Sequence, residues 1–142
     1  MIARQALLIA ALILAPAAAS ASGGEPDPKK DVGQYVDLLP VGLPIVADGR
    51  LVNYVFVYVR INLTSGANAS RLREKEPFFR DALVRAGHRT PFTLASDYGK
   101  IDSARLSSTL QREAVALVGG GQIRSVQVVS QAPRRRVATP RA

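Results

Sequence analysis

The sequence predicts an α+β domain: a small antiparallel or mixed sheet of about three strands, covered by two helices. Leu51 to Leu63 is a long β-type run in which Val55, Val57, Val59, Ile61 and Leu63 alternate with Tyr54, Phe56, Tyr58, Arg60 and Asn62, so one face is aliphatic and the other amphipathic. Two later stretches carry apolar residues at helical spacing. Asp48-Gly49 stands between two apolar runs, a strong signal for a hairpin turn.

The first strand of that hairpin is expected over Val41 to Ala47. Pro40 and Pro44 confine it to a sheet edge or an irregular path, because proline has no amide to give to a ladder. After the loop Thr64 to Asn68, either Asn68 or Ser70 is suited to cap a helix running to Ala86. Leu72, Phe79, Leu83 and Ala86 fall at spacings of seven, four and three on its buried side. Pro77 predicts a kink or a restart near Glu76, and Gly87 is expected to stop the helix. His88 to Lys100 reads as a connection with room for a short helical turn. Asp102 is positioned to cap a second helix reaching about Val118, with Leu106, Leu110, Ala114 and Leu117 as its buried stripe and Gly119-Gly120-Gly121 as its end. Ile123 to Val129 alternates as a last strand.

The flanks read differently. Residues 1–21 combine a short charged start, an apolar run from Ala6 to Ala15 and small residues around Ala19-Ser20-Ala21, the pattern of a secretory signal peptide. Residues 22–34 are a breaker-rich linker, residues 35–131 the folded domain, and residues 132–142 a Pro- and Arg-rich tail expected to be unfolded. These segments predict export to the periplasm, with an inner-membrane anchor facing the periplasm as the alternative.

Formal charge is +8, from 19 Lys and Arg against 11 Asp and Glu. Setting aside Arg4, Arg134, Arg135, Arg136 and Arg141 leaves 14 basic against 11 acidic residues, a mildly basic domain without the charged face that specific nucleic-acid binding requires. The Arg134-Arg135-Arg136 run is suited instead to an anionic envelope surface. The chain has no cysteine, which excludes disulfides, zinc-thiolate sites and thiol nucleophiles.

Few residues carry chemistry. His88 is the single histidine, with no ligand or base partner at recognisable spacing. Glu74, Glu76 and Asp81 mix with Arg71, Arg73, Lys75, Arg80 and Arg85, as in a solvated helix face with spaced ion pairs. The triple glycine follows a helix and precedes a strand, the reverse of a phosphate loop. No catalytic residue, metal site or cofactor is expected. Phe78, Arg80 and Arg85, together with Tyr54 and Tyr58 if their strand face is open, are the candidate protein contacts, because aromatics and arginine commonly anchor interfaces. A ligand-binding protein or enzyme built on the His88 to Asp97 connection is the competing class; it requires a cavity near His88 lined by convergent polar groups.

From Tyr35 to about Gln131 the chain resembles the periplasmic domain of the flagellar basal body-associated FliL family. The resemblance rests on Tyr35-Val36-Asp37-Leu38-Leu39-Pro40, Gly49-Arg50-Leu51-Val52-Asn53-Tyr54 leading into the valine-rich strand, Pro77-Phe78-Phe79-Arg80-Asp81-Ala82-Leu83, Phe92-Thr93-Leu94, and Ile123-Arg124-Ser125-Val126 through Val129-Ser130-Gln131. It implies a non-enzymatic, stomatin-like domain that assembles with itself into rings or arcs around flagellar stator units and supports motility. A cleavable leader in place of the family's usual membrane anchor also leaves room for a soluble periplasmic partner-binding protein unrelated to flagella.

Overall fold

In the computed structural model, the described residues are 33–137. The expected signal segment, nearly all of the linker and the end of the basic tail lie outside them. The elements are β1 (Tyr35–Asp37), β2 (Val41–Ala47), β3 (Arg50–Leu63), α1 (Ala69–Glu74), α2 (Glu76–Arg89), β4 (Thr93–Leu94), β5 (Asp97–Ile101), α3 (Ser103–Val118) and β6 (Ile123–Pro133). The fold is α+β.

β3 is the centre of the sheet, and every strand bonded to it is antiparallel. β6 pairs with Val55 to Leu63, β2 with Arg50 to Val57, and β1 with Arg60 to Asn62. A strand has two edges, so with β6 on one of them β1 and β2 share the other, end to end. The sheet is therefore four strands in three rows. The shared row breaks at Leu38-Leu39-Pro40, where the Leu38 amide still donates to Val59 O at 3.0 Å. β2 sits at an edge, where Pro44 is tolerated. Asp48 and Gly49 both have positive φ, 51° and 71°, the geometry of a tight hairpin turn whose twist matches the flanking strands.

α2 packs over β2, α3 over β6, and the two helices pack on each other. Between them and the sheet lies the core, where Val55, Val57, Val59, Ile61 and Leu63 of β3 meet Leu72, Phe79, Leu83, Ala86, Leu106, Leu110 and Ala114. The expected cap residues hold: Asn68 accepts from the Arg71 amide and Asp102 from the Arg105 amide.

The restart expected near Glu76 is present: the first helical segment is two helices divided at Lys75, because Pro77 cannot donate in the first turn and α2 begins there. Several other expectations need correction. Gly87 does not stop α2, which continues to Arg89 and ends at Thr90, whose extended backbone precedes Pro91. The glycine serves packing instead: a Cβ there would stand 2.9 Å from Leu43 Cδ2. His88 consequently lies in the last turn of α2 rather than beyond it. The following connection holds no helical turn; it forms the β4–β5 hairpin, clamped to β2 by Thr93, whose hydroxyl donates to Val46 O at 2.9 Å and accepts from Val46 N at 3.1 Å. Leu117 is 46% exposed, because the four-residue stride from Leu106 through Ala114 continues to Val118, which packs on the core. β6 runs on to Pro133, beyond the expected end at Val129 and into the stretch expected to be unfolded. Gln34, expected in the linker, belongs to the fold: its carbonyl accepts from Leu63 N at 2.8 Å and its amide donates to Ala67 O at 3.1 Å.

Candidate functional site

The helices cover one face of the sheet, so the side chains that alternate with the buried valines of β3 form a second face without a helical layer. Tyr54, Phe56, Tyr58, Arg60 and Asn62 run along it. Their register neighbours divide the face in two.

In one half Phe56 lies opposite Gly42 of β2 and Ala132 of β6, and Tyr54 opposite Pro44. Small neighbours leave the Phe56 ring standing proud, 48% exposed. A Cβ on Gly42 would meet the Phe56 ring at 3.2 Å, so the ring lies over the glycine. Tyr58 faces Ser130, and the adjoining irregularity in β6 leaves Val129 as an extra, 45% exposed residue.

The other half is polar and already paired. Arg60 donates to both oxygens of Asp37, from Nε at 2.7 Å and from its terminal nitrogen at 3.0 Å, and its guanidinium stacks 3.8 Å from the centre of the Tyr35 ring. The Arg60 hydrogen bonds hold the Asp37 carboxyl below its usual range, and the same carboxylate pushes the Tyr58 hydroxyl up. Asn62 donates to Ser125 Oγ at 3.0 Å. The Arg60–Asp37 charges therefore neutralise each other within the face.

Asp37 gives this face a pH signature. A carboxyl whose folded pKa is depressed contributes stability that is complete above its unfolded value of about 3.9 and is lost as pH falls through the folded value. Asp37→Asn is therefore expected to lower the urea midpoint at neutral pH and to flatten its fall below about pH 4; equal acid sensitivity in variant and parent would contradict the pairing.

Among the other predicted contacts, Phe78 is 57% exposed at the start of α2, with Lys75 Nζ 5.2 Å from its ring centre. Exposed Leu39 lies nearby, its amide donating to Glu76 Oε1 at 3.0 Å. Arg80 is committed to Glu76 at 3.0 Å, so it steadies the carboxylate that anchors this loop. Arg85 pairs with Asp81 at 2.9 Å in the open, where such a pair contributes little. The fold therefore places Tyr54 and Tyr58 on the open sheet face and Phe78, Arg80 and Arg85 on the helical layer.

Two further positions escape reading by residue type. Phe56 is the most exposed aromatic of the β3 row, a consequence of its small neighbours. Asn53 is the single buried polar residue among those described, 3% exposed. Its amide donates to Tyr98 O at 3.1 Å and Arg135 O at 2.9 Å, while its oxygen accepts from the Tyr54 amide at 2.9 Å. Arg135 in turn donates to Val52 O at 2.9 Å, and the Arg134 amide to Tyr54 O at 2.8 Å. Two of the three clustered tail arginines are thus strapped along β3. A polar residue at the core-facing parity of a valine-rich strand was the available signal.

His88 is exposed, its Nδ1 2.8 Å from Val84 O within its own helix. A cleft of about 290 Å³ does open beside it, but it is lined by Arg89, Thr90, Phe92, Arg105, Thr109 and Arg112 along with Ala86, without His88. Among the described residues no group of His, Asp and Glu is arranged to hold a metal, and no helix is long and apolar enough to cross a membrane. No family model and no curated protein matches this chain.

Proposed function

We propose that this chain is a non-enzymatic, exported structural protein of the bacterial envelope that assembles head to tail with copies of itself into a ring or arc, in support of flagellar stator units. The observation that carries the reading is the pair of exposed apolar surfaces on opposite layers: the Tyr54, Phe56 and Tyr58 row on the open sheet face, and Phe78 with Leu39 at the start of α2. A closed ring needs two different, mutually complementary patches, whereas a twofold dimer needs only one. The neutralised Arg60–Asp37 pair lets the sheet face receive a neighbour without charge repulsion. The flagellar setting rests on the resemblance to the FliL family; a partner-binding role unrelated to flagella is the alternative.

Sedimentation of the exported protein tests the assembly. Phe56→Glu and Phe78→Glu are each expected to abolish association, and an equimolar mixture of the two is expected to form pairs that grow no further, since each variant retains one intact patch. Full assembly by Phe78→Glu alone would overturn the head-to-tail arrangement. In a deletion strain, swimming is expected to be impaired and to be restored by the parent but not by Phe56→Glu; normal swimming of the deletion strain would retire the flagellar setting and leave the periplasmic alternative.

A further inference from the structure

The cleft between the end of α2 and the face of α3 is a concentration of positive charge with few acids to balance it. Arg105, Thr109 and Arg112 are spaced four and three apart, which brings them to one face of α3. Arg89 and Thr90 approach from the end of α2, and the buried ring of Phe92 lies between. Arg89 has a counter-charge, Glu113, at 3.3 Å. Arg105 and Arg112 have no carboxylate within ion-pair distance among the described residues.

These two guanidinium groups are nonetheless oriented. Arg105 donates to Pro91 O at 3.3 Å and sits 5.9 Å from the centre of the Phe92 ring, and Arg112 donates to Thr109 Oγ at 3.4 Å. Each guanidinium has five N–H donors, so most remain available, and the Thr109 hydroxyl, accepting from Arg112, keeps its own hydrogen to give. The carbonyl end of α2 carries about half a negative charge, which accounts for a cation nearby but not for three. Two uncompensated positive charges with forked donors match a dianionic tetrahedral oxygen acid, and about 290 Å³ lies at the small end of ligand sites.

We infer that this cleft binds a phosphate group, with Arg105 and Arg112 as the bidentate anchors, Thr109 as a neutral donor and Arg89 as a rim charge. The site lies on the helical layer and does not depend on the sheet-face assembly. The ligand chemistry is shared by inorganic phosphate, small phosphomonoesters and lipid headgroups, and these are separable.

The test titrates the full chain with inorganic phosphate at low ionic strength, following the arginine Nε–H and backbone amide NMR signals, with phosphatidic acid vesicles as a second arm. Saturable shifts confined to Thr90, Arg105, Thr109 and Arg112 are expected. Arg112→Gln, which removes no contact to the core, is expected to weaken binding at least about tenfold, the loss of roughly one charge-assisted hydrogen bond. Arg50→Gln, an equal loss of charge at the β2–β3 turn and outside the lining of the cleft, is expected to leave the affinity unchanged. Circular dichroism establishes that both variants are folded. Shifts spread over all basic surfaces, or equal weakening by Arg50→Gln, would overturn the site. Binding of free phosphate without the vesicles assigns a soluble ligand; vesicle binding lost in Arg112→Gln assigns a headgroup; absence of both refutes the proposal.

Discussion

Replacing Asn53 by Leu is expected to destabilise the domain by about 3 kcal/mol and to release the tail from β3. Leucine keeps the branching and the number of heavy atoms but leaves Tyr98 O, Arg135 O and the Tyr54 amide without the partner that now satisfies all three. Each buried polar group left unpaired costs roughly 1–3 kcal/mol, offset where water reaches the freed tail. Two measurements check this: the urea midpoint, and hydrogen exchange of the Arg134 amide, which now donates to Tyr54 O. Trypsin cleavage after Arg134 and Arg135 should accelerate in parallel. A variant that loses less than about 1 kcal/mol and keeps Arg134 protected would show that the strap is held by the β3–β6 ladder alone.

Gly87→Val is expected to cost about 3 kcal/mol, the upper part of the range for overpacking a core. In the solvated interior of a helix such a change would be mildly favourable, because glycine is a weaker helix former than valine by roughly a few tenths of a kcal/mol. Here the added methyls enter space held by Leu43 and Phe92, the first already 2.9 Å from where the new Cβ would stand. Leu43→Ala opens that space, so the double variant should be no less stable than Leu43→Ala alone, a strong non-additivity between contacting residues. Gly66→Ala, where a Cβ meets nothing within 4 Å, should stay within about 0.5 kcal/mol of the parent. If Gly87→Val resembled Gly66→Ala, the close approach of α2 to β2 would be wrong.

Both positions bear on function through placement. Asn53 fixes the end of β3 that presents Tyr54, and its amide holds the Arg135 backbone against that strand. Gly87 lets α2 settle on β2, which sets where Arg89 and Thr90 meet α3.

Local chemistry in the chain determined the elements. Alternation along β3 set which residues face the core, because side chains on a strand point to opposite sides whatever surrounds them. Asp48-Gly49, Asn68, Asp102 and Gly119 act within a few residues of themselves, so the hairpin, two helix starts and one helix end were legible from the sequence. Tyr54 and Tyr58 were placed on the amphipathic face for the same reason. What only the tertiary structure decided depends on partners distant in the chain. Gly87 reads as a helix stop until Leu43 stands against it. The end of β6 reads as an unfolded tail until Asn53, 82 residues before Arg135, supplies the hydrogen bond that holds it. Phe56 becomes the prominent aromatic because Gly42 and Ala132, on two other strands, are small. The basic cleft forms because a hairpin returns α3 against the end of α2, so that Arg89 joins Arg105 and Arg112; spacing along one segment carries no record of such a meeting.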